Sequence, residues 1–268
     1  MKLSIRITRT TIVFTAPDGV IEGQVKCEQY NMKPGVSVAA SLRAAMGECS
    51  LPQARMDDRL YAQHLRQLGC DGVAVAMDAV QERKARSVYS HVVVTVDTPL
   101  LFVPQEEFDE SSVATLYGHT YTGFAPDESV VLTTFMPELG VVAAYSVSKD
   151  LDFVLGESFR NVCYMPMVVG VLSRLRMLSH GGFQEKLFCH FHDKRVDVCA
   201  FRKNRLRFCS SFDLVNTQDA AYYILNVWQQ LAMRTGDILC LSGSVSGYEA
   251  IARELGRFIK NIQRIEIG

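Results

Sequence analysis

Three short apolar-rich runs, 186–192, 195–202 and 205–212, stand two residues apart, and this spacing constrains the chain more than any other feature. Connections as short as Asp193–Lys194 and Lys203–Asn204 leave no room for a crossover. The runs must therefore be antiparallel neighbours in one sheet. Asn204 tolerates the positive φ that such a turn demands. An amphipathic helix over 217–234 follows, with Ala221, Ile224, Val227, Trp228 and Leu231 recurring at three- and four-residue spacing. Asn216 or Thr217 caps its start, Asp219 complements its dipole and Gly236 ends it. A strand at 238–242, a helix at 246–259 and a strand at 262–267 complete the order βββαβαβ.

The N-terminal end begins on the same plan. Leu3, Ile5 and Ile7 alternate with Ser4, Arg6 and Thr8, which predicts a strand over 3–8. A turn at Arg9–Thr10 leads to a second strand, 11–16, and a third is expected over 21–29 with Ile21, Val25 and Cys27 facing inward. Ser37 caps a helix that runs to Gly47, and another helix covers 57–68. The β-branched run 91–97 reads as a buried parallel strand. Beyond it the pattern gives a strand at 100–104, a helix over 105–117, strands at 129–136 and 140–147, a helix capped by Ser148 over 149–158, and a mostly helical stretch over 163–180. Gly181–Gly182 marks a boundary between a subdomain of residues 1–181, which carries insertions, and one of residues 182–268.

Charge and composition exclude several classes of function. Lys and Arg number 28 against 29 Asp and Glu, for a net charge of −1. No overall positive field draws the chain to nucleic acid. No apolar run is long enough to span a bilayer. The first ten residues alternate instead of forming an apolar leader core, so a cytoplasmic location is expected. The eight cysteines, at 27, 49, 70, 163, 189, 199, 209 and 240, form no CxxC pair. They read as reduced core thiols.

The segments LLFVPQEEFD (100–109), LFCHFHDKRVDVCAFRKNRLRFCSSF (187–212), QDAAYYIL (218–225) and LSGSVSGYEAI (241–251) resemble a bacterial domain family of unknown function. That family has the actin-like ATPase fold shared by actin, sugar kinases and the heat-shock 70 chaperones. The chain is distantly similar to the pilus-assembly and secretion proteins PilM and GspL. The resemblance covers most of the chain. It implies an α/β architecture of two actin-like, RNase H-like subdomains around a cleft.

Working members of the superfold grip nucleotide phosphates with two hairpin turns, each supplying an Asp toward a metal and a Gly for close backbone approach. Residues 7–12 contain neither, and residues 191–196 contain Asp193 but no Gly. The loop Ser242-Gly243-Ser244 better matches the adenosine side. If a nucleotide binds, the resemblance gives it Asp193, Gly243 and Ser244. Neither a catalytic residue nor a cofactor is expected. The expected role is a non-catalytic scaffold or protein-interaction module with an unidentified protein partner, which by analogy docks on the first subdomain. The alternative is a nucleotide-binding regulator or weak ATPase.

Other constellations have plain readings. The core strands carry no carboxylate at their centres for two-metal nuclease work, and Asp197 reads as alone on an edge-side strand. His190 and His192 share a strand face, but a metal needs at least one more ligand, for which only His64, His91, His119, His180 and scattered carboxylates are available, so they read as packing or solvated histidines. Arg202, Lys203, Arg205 and Arg207 read as a solvated turn, and Tyr222, Tyr223 and Trp228 as core. Gly243-Ser244-Val245-Ser246-Gly247 misplaces the serine of a nucleophile elbow, and no phosphate-loop or dinucleotide fingerprint occurs.

Overall fold

A computed structural model describes residues 1–18, 23–67, 84, 86–180, 184–192, 194–202, 205–243 and 248–267. The boundary at 181–182, the apolar run 73–77, Ile21, Asp193 and Ser244 lie outside these residues.

The chain forms two compact units that are not contiguous in sequence. The first comprises Met1–Asp97, Ala125–Val130 and Ser146–Met165. The second comprises Thr98–Phe124, Val131–Tyr145 and Pro166–Gly268.

The first unit starts with β1 (Lys2–Ile7), β2 (Thr11–Pro17) and β3 (Val25–Asn31), followed by α1 (Val38–Glu48), a 3-10 turn at Leu51–Gln53 and α2 (Asp58–Gln67). Strand β4 (His91–Val96) runs parallel to β1, with Leu3 against Val92 and Ile7 against Val96. After a long insertion come α4 (Lys149–Gly156) and β8 (Val162–Pro166). The sheet order is β3-β2-β1-β4-β8. Strand β1 alternates buried and more accessible residues, as a one-sided sheet requires. Ser37 caps α1 as its sequence position implies, its hydroxyl accepting from the Ala40 amide.

One expectation fails in this unit. Val25 and Cys27 face solvent, Val25 at 65% exposure, because β3 is an edge strand whose half-buried side chains are Glu28 and Tyr30. The stretch 163–180 is mostly helical as expected, as α5 (Met167–Ser179), but its first residues belong to β8, and Pro166 stands at the start of the helix. The neighbouring strand β4 gives those first residues a hydrogen-bonded edge, and this outweighs their helical pattern.

The insertion carries β5 (Leu100–Pro104), a 3-10 turn at Gln105–Glu107, α3 (Val113–Thr120), β6 (Ser129–Met136) and β7 (Val141–Ser148). The three strands form a small sheet in the order β5-β7-β6. The helix expected over 105–117 is confined to α3 and the turn before it.

In the second unit β9 (Lys186–His192), β10 (Arg195–Arg202) and β11 (Arg205–Asp213) form the antiparallel meander. Helix α6 (Thr217–Gln230), β12 (Ile238–Gly243), α7 (Tyr248–Leu255) and β13 (Asn261–Arg264) follow, in the order expected. Strand β12 lies parallel to both β9 and β13, giving β11-β10-β9-β12-β13. One face of this sheet, with Leu187, Phe191, Val196, Val198, Leu239 and Leu241, packs on Ala221, Ile224, Val227, Ile251 and Leu255 of α6 and α7. Asn216 and Asp219 close a reciprocal capping box at the start of α6. Tyr223 stacks on Phe212 and Trp228 packs against the core, but Tyr222 is 67% exposed and is not core.

Candidate functional site

The turn between β1 and β2 is the first of the two hairpin turns to which the resemblance assigns phosphate. Here the chain itself occupies the donors. The Thr8 hydroxyl oxygen accepts from the backbone N–H groups of Thr10 (3.3 Å) and Thr11 (3.0 Å), and it contacts the Thr11 hydroxyl at 3.0 Å. Threonine at the first position of a turn competes in this way for nearby amides. The Arg9 guanidinium lies 3.4 Å from Asp97, a buried carboxylate just beyond β4. The sequence reading missed Thr8, Arg9 and Asp97 as a group. The pairing of Ile7 with Val96 brings Asp97 to the turn, and that pairing follows once β1 and β4 are taken as parallel neighbours.

The second unit carries a different arrangement. On the sheet face opposite α6 and α7, the registers align three rows across the strands. Asp213, Arg195 and His192 form one row. Ser211, Asp197, His190 and Ser242 form the next. Cys209, Cys199, Phe188 and Cys240 form the third. A bulge opposite Ala200 and Phe201, with Arg207 as the extra residue on β11, produces this alignment. Without the extra residue Cys209 would oppose Val198 and Ser211 would oppose Val196, turning both to the helix-covered core.

Asp197 is therefore not alone, and its strand β10 is interior to the sheet. Only 2% exposed, it accepts from the Ser211 hydroxyl at 2.5 Å and pairs with His192 Nε2 at 2.8 Å. Arg195 pairs with Asp213 at 3.1 Å. His190 Nδ1 lies 3.1 Å from the Ser242 hydroxyl. Burial, reinforced by His192, holds His190 below the usual histidine pKa against the opposing pull of Asp197. The order Ser–Asp–His puts the acid in the middle. It cannot pass a proton from serine to histidine as a nucleophilic relay would. Ser242 is buried, so no substrate carbonyl reaches it. Among the described residues no three His, Cys, Asp or Glu side chains are placed to hold a metal.

Of the nucleotide-side candidates only Gly243 is described. Its φ is +82°, and a Cβ there would collide with the Phe191 carbonyl oxygen. Neighbouring backbone alone accounts for the glycine. The arginines near the β10–β11 turn are engaged with protein groups. Arg207 donates to Glu185 and to the Leu231 carbonyl, and Arg205 lies 3.5 Å from Glu106.

The first unit also contains a cavity of about 440 Å³ between α1, the 3-10 turn and α4. Met46, Pro52 and Val154 supply apolar wall, and Arg43, Arg55 and Glu157 supply charge. Arg43 and Glu157 pair at 3.2 Å, while Arg55 donates to the Pro52 and Ala54 carbonyls.

Comparison with known proteins gives the family and the fold. Residues 73–262 match a family described as protein of unknown function, DUF3822, and the chain belongs to that family. A solved structure from Bacteroides thetaiotaomicron, described as a protein with actin-like ATPase fold and unknown function, is similar at a TM-score of 0.78. The identity is 19%, over 98% of this chain and 90% of that one. A PilM–PilN type IV pilus biogenesis complex is similar at a TM-score of 0.53 and 13% identity, over 98% of this chain and 88% of that chain. The fold is thus that of the actin-like ATPases. No curated protein sequence matches the chain.

Proposed function

We propose that this member of the DUF3822 family is a non-hydrolysing protein of the cytoplasm that has kept the actin-like fold to bind another protein. One observation carries the reading: the Thr8 hydroxyl consumes the Thr10 and Thr11 amides. A phosphate cradle needs such N–H groups aimed outward at the anion. Arg9 beside Asp97 adds to this, since the carboxylate that would face a metal already has a cation. Isothermal titration with magnesium ATP tests the claim. The expected result is no binding in the micromolar range and no hydrolysis above background. Micromolar binding with turnover would overturn it.

The cavity beside α1 and α4 is the proposed place for the partner. It joins apolar wall to two guanidiniums and a carboxylate, the mixture that receives a short peptide segment. A solved relative in fold is a complex of two proteins, PilM and PilN, which supports a partner for this chain as well. Recovery of the tagged protein from native lysate with one stoichiometric partner, lost in Arg43→Glu, which changes an exposed residue of the cavity wall, is the expected outcome. Recovery of the wild-type protein with no partner would count against it.

The competing reading is a nucleotide-binding regulator that uses Asp193, Gly243 and Ser244. A thermal-shift series separates the two. A nucleotide at 100 times its dissociation constant would stabilise the fold by roughly 2.7 kcal/mol. No shift with any nucleotide retires that reading.

A further inference from the structure

Cys199 and Cys209 stand directly opposite one another on antiparallel strands β10 and β11, with their sulfur atoms 3.2 Å apart. Directly opposed residues in an antiparallel pair have Cα atoms roughly 4.5–5.5 Å apart, inside the range a disulfide spans. The backbone need not move for the sulfurs to bond. The two thiols also differ in access. Cys199 is fully buried, whereas Cys209 is half-buried on an edge strand. Cys189 faces the opposite, helix-covered side, and Phe188 separates Cys199 from Cys240 along the row. Among the described cysteines, this pairing alone is set by the strand register.

We infer that Cys199 and Cys209 form an oxidisable pair that closes to a cross-strand disulfide on reaction with hydrogen peroxide. This is independent of the partner reading above. The Cys209 thiolate attacks one peroxide oxygen. The O–O bond breaks, hydroxide leaves and becomes water with the thiol proton, and a sulfenic acid remains. The Cys199 sulfur then attacks the Cys209 sulfur. The S–O bond breaks and the departing hydroxide takes the Cys199 proton. Two thiols and one peroxide give one disulfide and two waters, and the sulfurs lose the two electrons that the peroxide gains. The hydrogen bond to Cys209, together with burial, pushes the Cys199 thiol pKa up, so the more accessible Cys209 is the sulfur that meets the peroxide first. The bridge forms two residues along both strands from the Ser211–Asp197 contact and ties edge strand β11 to the interior of the sheet.

The test treats the reduced full chain with hydrogen peroxide, blocks remaining thiols with iodoacetamide, and maps peptides without reduction. The expected result is one cross-linked peptide pair joining Cys199 to Cys209, an intact mass lower by two hydrogens before blocking, and reversal by dithiothreitol. Cys209→Ser is expected to yield no cross-link. In Cys199→Ser, which removes the resolving sulfur, Cys209 is expected to proceed to sulfinic acid. Full alkylation of both cysteines in the treated wild-type chain would overturn the inference, as would sulfinic acid at its Cys209 or a cross-link between other cysteines.

Discussion

The two large sheets share one strand order, an antiparallel meander of three followed by two further strands, yet they are buried differently. In the first unit β3 is mostly exposed and β1 hides only one face. In the second, β10 is buried at every position except Arg202, on both faces. A one-sided sheet lets water solvate its polar face. A two-sided sheet does not, so each polar residue on β10 needs a protein partner. Hence Asp197 has His192 and Ser211, and Arg195 has Asp213. The shared topology holds two unlike solutions: a turn that satisfies its own amides, and a buried polar face assembled by a bulge.

The comparison is broken most forcefully at Gly243. Gly243→Ala drives a Cβ into the Phe191 carbonyl and should cost about 4 kcal/mol in denaturant unfolding. Gly35→Ala in the first unit is the control. It has a similar φ of +78° but no atom within 4 Å of the added Cβ, so about 1 kcal/mol is expected. Equal losses would show that backbone conformation, not the approach of β9, makes Gly243 a glycine.

Asp197→Ala strands His192 and Ser211 beside a small cavity, with an expected loss of about 3 kcal/mol. Thr8→Val, near-isosteric, removes the acceptor of two amides and should cost about 1.5 kcal/mol. A Thr8→Val loss matching that of Asp197→Ala would erase the contrast between a turn that satisfies its own amides and a polar network across a sheet face.

The smallest effect is in pH. His190 has its folded pKa lowered, so the unfolded chain binds the proton more readily and stability falls as pH drops below about 6.5. Glu28 in the first unit is also lowered, in the opposite chemical sense. Burial pushes its pKa up, but hydrogen bonds from Leu51 and Ser50 outweigh that. Its contribution is present above about pH 4.5 and is lost as pH falls through the lower folded value. Unfolding midpoints measured from pH 7 to 3 should therefore decline in two stages. His190→Gln is expected to flatten the upper stage and Glu28→Gln the lower.

Much of the architecture was legible because short turns fix partners. The two-residue turn at 193–194 places Asp197 opposite His190 by residue counting alone. The parallel partner of β1 was legible from the β-branched run of β4. The bulge at Arg207 was not, since no Gly or Pro marks it, and that single residue decides which face Cys209 and Ser211 occupy. The strand at 162–166 was missed because a five-residue apolar segment leading into a helix has no period of its own. At the β1–β2 turn the missing Asp and Gly were plain. That Thr8 would take up the freed amides depended on its side-chain conformation, which spacing does not encode.

The most direct test of the central claim follows the backbone amide resonances of Thr10 and Thr11 while magnesium ATP is titrated into the full chain. Two amides already committed to the Thr8 hydroxyl should not move. A saturable shift of both, in step with nucleotide concentration, would mean that the turn opens to receive phosphate and would contradict the account.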